Sequence, residues 1–338
     1  MIREAISKVV SGADLTEEEA GAVMQELMSE EATPSQAAAL LVALRLKGET
    51  VDEITGMVRV MREKALKVDA GGDVLDVVST GGGRFDPFNI STAAALVCAG
   101  AGVRVAKHGN RGFTSASGAA DVLEALGAKL DLTPEQSAAC IQQTGFGFLF
   151  AQALHPAMRF VGPTRREIGI RTIFNSLGPL TNPAGAQYQL LGVGDEAMAE
   201  KIAAVLGRLG VGHALVVHSE DGLDEVSLGA PTTVHELTGS SVRTYTLTPD
   251  DAGFEWIPLS TVKTGTREEN AERLRGVLSG KPGPDRSYTL VNAGAALVAA
   301  NKASSVKEGV ELAKESVDSG AAAQVLDAYV AATQSFGS

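Results

Sequence analysis

Between Val77 and Asn110 the chain reads VVSTGGGRFDPFNISTAAALVCAGAGVRVAKHGN. An apolar run around Val74–Val78 has the pattern of a buried strand. Three glycines follow it, then Asn89-Ile90-Ser91-Thr92 and the alanine-rich start of a helix. A second apolar run, Val103 to Ala106, ends in Lys107-His108-Gly109-Asn110-Arg111. Strand, glycine turn and helix start make an anion-binding arrangement, because free backbone N–H groups and the positive end of the helix dipole point at the same place. A strand–helix–strand unit of this kind commits the chain to a sheet covered by helices.

The remaining pattern agrees. Residues 1 to about 70 read as helices only: Thr16, Thr33 and Thr50 each stand three residues before Glu19, Gln36 and Glu53, the capping-box spacing, and an amphipathic run follows each. Gly71-Gly72 marks a joint. Beyond it strands are expected at 74–80, 103–107, 147–150, 188–193, 214–218 and 287–291, with helices at 91–101, 117–126, 133–144, 196–209, 305–318 and 321–334. The expected fold is α/β: a small all-helical N-terminal domain, 1–70, joined by helices from about 160–182, and a large α/β domain, 71–338, with a central, largely parallel sheet flanked by helices. Only 4% of residues are aromatic and 38 are glycine, which suits a core of small aliphatic side chains under such a sheet.

A formal net charge of −12 argues against non-specific binding to nucleic acid or to an anionic membrane, since both need a basic surface. No run approaches the roughly 20 apolar residues of a membrane span, and the N-terminus lacks a signal-peptide core. The two cysteines, Cys98 and Cys140, sit in apolar helical patterns without metal-type spacing and read as buried thiols. A cytoplasmic location is expected.

Candidate chemistry lies in four places. The triple glycine is neither the dinucleotide fingerprint nor a Walker loop, but Asn89, Ser91 and Thr92 at the helix start and Lys107 one strand away can wrap a phosphate or diphosphate. Lys107 to Arg111 place several donors around Gly109 directly after a strand. Asp224-Glu225 follow the strand that ends near His218 and suit magnesium, a hard cation held by one or two carboxylates and by substrate oxygens, with Ser91 as a further oxygen. Arg165, Arg166 and Arg171 crowd one polar stretch. A guanidinium fork clasps a carboxylate in a way lysine cannot, so one of the three is expected to hold an acidic substrate group and the others to form salt bridges.

KHGNR with GAADVLEALG, then HPAMRFVGPTRREIGIRTIFNSLGPLTNPAG, then GLDEVSLGAPTTV closely resemble the anthranilate phosphoribosyltransferase family, and the likeness covers essentially the whole chain. The resemblance implies magnesium-dependent transfer of phosphoribose from phosphoribosyl diphosphate to anthranilate in tryptophan biosynthesis, by a homodimer associating through its helical domain. It also implies that Ser79, Gly82, Gly83, Pro87, Asn89, Ile90, Ser91, Thr92, Lys107, His108, Gly109, Asn110, Arg111, Ser115 and Ala119 surround phosphoribosyl diphosphate. Ser79, Asn110, His155 and Arg165 would meet anthranilate, with Pro179 near its approach, and Ser91, Asp224 and Glu225 would hold magnesium.

The chain departs from the family pattern GTGGDGxxTFNIS in its glycine loop. Ser79 and Arg84 replace glycines, Gly83 an aspartate and Pro87 a threonine, while Ala116 and Ala119 replace a lysine and a hydroxyl residue. Two alternatives stay open: a pyrimidine nucleoside phosphorylase-like glycosyl transfer, which shares the architecture, and a non-catalytic relative that binds nucleic acid.

Overall fold

The computed structural model describes residues 1–112 and 117–337. Four helices come first: α1 (Ile2–Val10), α2 (Glu17–Leu27), α3 (Pro34–Lys47) and α4 (Val51–Lys64). The three threonine boxes close as their spacing predicts, each hydroxyl accepting from the backbone N–H three residues on while the acidic or amide side chain reaches back.

After Gly71-Gly72 the chain enters β1 (Leu75–Ser79), α5 (Ile90–Gly100), β2 (Val105–Gly109), α6 (Ala119–Ala125), α7 (Pro134–Thr144) and β3 (Phe146–Phe150). Short helices α8 (Ala151–Leu154), α9 (Gly162–Ile168) and α10 (Ile173–Leu177) lead to β4 (Tyr188–Gly192), α11 (Glu196–Arg208) and β5 (His213–Ser219). A hairpin, β6 (Thr232–Thr238) and β7 (Ser241–Leu247), precedes α12 (Arg267–Leu278), α13 (Pro284–Ala299), α14 (Val306–Asp318) and α15 (Ala321–Ser335). The seven strands lie in the order β3-β2-β1-β4-β5-β6-β7. β1 to β5 are parallel, and only the hairpin runs against them.

Strand alternation sends side chains to two covered faces. Leu75, Val77, Leu215 and Val217 pack into the cluster built by α5 and α13. Leu191, Ala214 and Val216 pack with Ile202 and Leu206 of α11, and that cluster continues into Leu40, Leu44, Met57 and Met61 of the helical bundle. Val161, Ile173, Phe174, Leu177 and Leu180 belong to the same cluster, with α9 and α10 resting on α3 and α4. The strand order reverses at β1, whose neighbours β2 and β4 lead to opposite edges of the sheet. Loops leaving the carboxyl ends of β1 and β4 therefore diverge and open a crevice.

One expected strand is wrong. Residues 287–291 lie inside α13, a helix buried from Tyr288 to Ala299 between α5 and α14. A helix buried all round has no polar face, so its short apolar runs resemble a buried strand. Pro284 at its first turn was the available signal. The hairpin and α12 were not anticipated. Among the described residues no helix is long and apolar enough to cross a membrane.

The closest helix crossing of the bundle supplies a test. A Cβ added at Gly56 of α4 would lie 2.1 Å from the Glu17 carbonyl oxygen of α2, whereas one at Gly21 would find its nearest neighbour at 3.5 Å. Alanine is favoured over glycine in a helix by about 1 kcal/mol, but overpacking against backbone costs roughly 1–3 kcal/mol. G56A should therefore lower the thermal midpoint followed by circular dichroism, while G21A should hold or raise it. Equal midpoints for the two variants would overturn this account of the crossing.

Candidate active site

The crevice is lined by the ends of β1 and β2, the first turn of α5 and the loop after β5. Lys107, on β2, is buried and turns its ammonium inward to donate to the Val77 carbonyl and, at 3.2 Å, to Ser91 Oγ. Glu225 accepts from the Ser91 backbone N–H at 3.2 Å, so Ser91 joins the basic and acidic sides of the site. Asp224 accepts from the Ser79 hydroxyl at the end of β1. Both carboxylates are buried, at 6% and 9% exposure. Burial first, and then Asp224 beside it, pushes the Glu225 carboxyl up to about 8; burial raises Asp224 as well. Desolvation lowers Lys107 to about 8.

Two buried polar atoms here lack partners among the described residues: Glu225 Oε2 and Thr92 Oγ1. A buried carboxylate oxygen left unpaired beside a second carboxylate is an acceptor set for a cation. No group of three or more His, Cys, Asp or Glu side chains capable of holding a metal occurs among the described residues. Two carboxylates with a nearby serine hydroxyl fit magnesium, which binds through one or two carboxylates and keeps waters and substrate oxygens for its remaining positions.

The glycine loop is pressed between neighbours. Gly82 has a φ of +101°, and a Cβ there would fall 2.2 Å from an Arg171 guanidinium nitrogen; one at Gly83 would fall 2.8 Å from Asp224 Oδ1. Arg84 N–H donates to the Gly222 carbonyl, and Pro87 forms a β-bridge with Lys263. Asn89 occupies the N-cap position of α5 without capping it. Its amide donates to the Ser117 carbonyl at 3.1 Å, while its oxygen accepts from Asn270. Ile90 is fully buried in the core, so only its backbone faces the loop.

On the other side of β2, His108 Nδ1 lies 3.1 Å from the Gly178 carbonyl, which can only accept, so this nitrogen carries the proton. Its Nε2 then accepts from His155 Nε2 at 3.1 Å, and His155 Nδ1 is left as a buried, unpartnered acceptor among the described residues. Burial lowers His108 to about 3 and His155 to about 4, so both rings are neutral at physiological pH. Arg165 stacks over Phe174 at 5.0 Å, and burial lowers its guanidinium to about 10. Among the described residues neither Arg165, Arg166 nor Arg171 forms a salt bridge, contrary to the expectation for two of them. Arg171 instead donates to the Thr80 carbonyl at 3.1 Å.

Some expected contacts are not brought together. Arg111 turns away to Asp121 at 3.1 Å and Glu124 at 2.7 Å and lies over Phe150. Asp121 in turn accepts from the backbone of Gly112 and Gly118, the residues on either side of the segment that includes Ser115. Ser115 and Ala116 lie outside the described residues. Asn110 accepts from Gln152 and from the Arg111 N–H, and half-buried Ala119 begins α6 within 3.4 Å of where a Gly109 Cβ would stand. Sequence reading missed Asp76, fully buried on β1, which accepts from the His108 N–H at 3.1 Å and from the Asn182 amide at 2.7 Å. An aspartate inside an apolar strand run was the signal.

Comparison with known proteins adds an independent finding. Residues 71–323 match the model of the glycosyl transferase family a/b domain and residues 3–65 that of its helical bundle domain. The chain is 56% identical over 323 residues to anthranilate phosphoribosyltransferase of Symbiobacterium thermophilum, covering 95% of each chain. It resembles the crystal structure of the Thermus thermophilus enzyme of that name with a TM-score of 0.92 at 48% identity, over 98% of this chain and 99% of that one. The Saccharomyces cerevisiae enzyme, solved in complex with PRPP and Mg, gives a TM-score of 0.91 at 28% identity, over 99% of this chain and 98% of that one.

A cation held by this carboxylate pair would bind with an affinity that depends on pH in a defined direction. With Glu225 raised to about 8, a cation arriving at pH 6 must displace a proton, and at pH 9 it need not. Lys107 sheds its own competing charge over the same range. The rise in thermal midpoint produced by magnesium should therefore grow from pH 6 to pH 9 and vanish in E225Q. A pH-independent rise, or one retained in E225Q, would overturn the assignment.

Proposed function

Because the chain belongs to the anthranilate phosphoribosyltransferases, we infer that this crevice transfers phosphoribose from phosphoribosyl diphosphate to the amine of anthranilate, giving N-(5-phosphoribosyl)anthranilate and diphosphate in tryptophan biosynthesis. The observation that carries the site assignment is the buried Asp224-Glu225 pair with its unpartnered oxygen, set beside Ser91 and Lys107. The glycine loop and the first turn of α5 receive the diphosphate. Ser91, Asp224 and Glu225 are the residues that would hold magnesium, which when bound supplies positive charge to the departing diphosphate.

The chain's own groups position and neutralise. Lys107 offers its charge from below the loop, and the start of α5 adds the positive end of its dipole, the Ile90 and Ser91 N–H groups being taken by the Phe88 carbonyl and Glu225. Arg165, which has no carboxylate partner among the described residues, clasps the carboxylate of anthranilate, while Asn110 and His155 border the ring. His108 and His155, kept neutral by burial, add no charge to the acceptor side and hold a fixed hydrogen-bond direction. The C–O bond to diphosphate breaks as the new N–C bond forms, and the proton the amine nitrogen then sheds passes to the departing diphosphate or to water. An aromatic amine is already neutral near pH 7, so no strong base has to act before the attack.

A pyrimidine nucleoside phosphorylase-like transfer is the weaker reading, since a stacked arginine without a salt bridge suits a carboxylate acceptor. A nucleic-acid-binding role has no support in a chain of net charge −12. The activity is tested by the loss of anthranilate fluorescence on incubation with phosphoribosyl diphosphate and magnesium. The D224N/E225Q variant should turn over at least roughly a hundredfold more slowly. A variant with wild-type turnover, or a wild-type protein that consumes no anthranilate, would sink the reading.

Residues 1–70 with α9 and α10 act, in this proposal, as one helical unit, and 71–338 as the phosphoribosyl diphosphate-binding unit. Val10 and Leu46, 71% and 82% exposed, border a largely apolar groove of about 610 Å³ between α1 and α3 that Val9, Gly12, Ala38, Ala39, Val42, Ala43 and Lys47 also line. Such an apolar patch suits a second copy of the chain, so the protein is proposed to be a homodimer through its helical unit. Free, buried Cys98 and Cys140 suit the proposed cytoplasmic location. Sedimentation should find a dimer that L46E converts to monomer; a wild-type monomer would exclude it.

A further inference from the structure

Arg171 is a charged side chain of the crevice that the transfer chemistry leaves without a task. It stands two residues after Gly169, the left-handed cap of α9, and immediately before Thr172, the N-cap of α10, so two helix ends fix its backbone. Its side chain crosses to the opposite wall. Nη2 donates to the Thr80 carbonyl at 3.1 Å, and the guanidinium lies flat on Gly82: an added Cβ there would fall 2.2 Å from Nη1, 2.3 Å from Cζ and 2.8 Å from Nε. On its other side the same glycine meets Gly194, whose added Cβ would fall 2.6 Å from the Gly82 carbonyl oxygen. The glycine loop is thus a single thickness of backbone held between Arg171 and the turn after β4. Asp224 lies close enough to attract the guanidinium.

We propose that Arg171 is a positioning residue for the transfer: a latch from the segment that carries Arg165 to the glycine loop, holding the loop in the shape that receives the diphosphate and fastening the donor and acceptor walls together. The proposal rests on the phosphoribosyl transfer reading of this crevice. A loop already held needs no ordering when the anion binds, so the latch acts on donor affinity before it acts on the chemical step. The shape of the group matters as much as its charge. A planar guanidinium can lie against a peptide and donate sideways at once, whereas a lysine ammonium supplies only a point charge. The left-handed backbone and the guanidinium leave room for nothing larger than hydrogen at position 82, so Gly82 and Arg171 form a matched pair.

The test compares wild type, R171M, R171K, G82A and R171M/G82A in steady-state kinetics and in calorimetric titration of phosphoribosyl diphosphate with magnesium. R171M, which keeps the side-chain stem, should weaken donor binding and raise the donor KM by about tenfold or more, with a smaller change in the anthranilate KM and an unchanged thermal midpoint. R171K should restore only part of the loss. G82A should be costly alone and less costly in the R171M background, where the left-handed backbone strain remains but the clash with the guanidinium is gone, a non-additivity that contact between the two residues requires. A donor KM within about twofold of wild type in R171M would overturn the proposal. So would equal effects on both substrates accompanied by a lower thermal midpoint, which would make Arg171 merely structural. Absence of anthranilate consumption in wild type would instead strike the activity itself.

Discussion

Everything at the catalytic end of this molecule depends on Lys107 and Glu225 being taken out of water together. Neither has the partners to be comfortable there: Lys107 leans on one carbonyl and one hydroxyl, and Glu225 uses one oxygen and leaves the other idle. Burial moves both away from their ordinary titration, which marks a place built to be completed by something else. The sheet makes that possible. Parallel strands buried on both faces deliver half-buried Ser79 and buried Lys107 and Asp224 to one edge, and α5 closes the edge with its first turn.

The helical N-terminal part was legible because its rules are local. Threonine boxes, Pro34 and amphipathic runs concern residues three or four apart, and they survive any tertiary context. The parallel strands were legible for a similar reason, since continuous apolar runs between glycine turns have few other uses. α13 failed because burial on every side erases periodicity, and the β6–β7 hairpin escaped because polar residues interrupt the apolar pattern of both strands and β7 is the exposed edge of the sheet.

For the site, residue type and family likeness brought out Lys107, Ser91, Asp224 and Glu225, and the fold brings Lys107, Ser91 and Glu225 into one hydrogen-bonded group with Asp224 beside it. What the chain alone could not convey was the direction of long side chains. Arg111 and Arg171 sit in equally basic stretches, yet one folds back onto α6 and the other spans the crevice. The buried Asp76 shows the same gap: its place in an apolar strand was visible, but its bond to the backbone of His108 requires the strand pairing.

Glycine at position 83 has a consequence for charge stoichiometry. With no carboxylate there, the buried acids Asp76, Asp224 and Glu225 stand against Lys107 and Arg171, burial holds all three above the ordinary carboxylate range, and Asp86 is only half-buried beside them, so the innermost strand ends carry little net charge. A cradle of that kind exerts little net pull on a bare polyanion in solution. It discriminates by fit, accepting the donor best as an ion pair that brings its own compensating metal, and a loop with aspartate at the same place would call for one more positive charge.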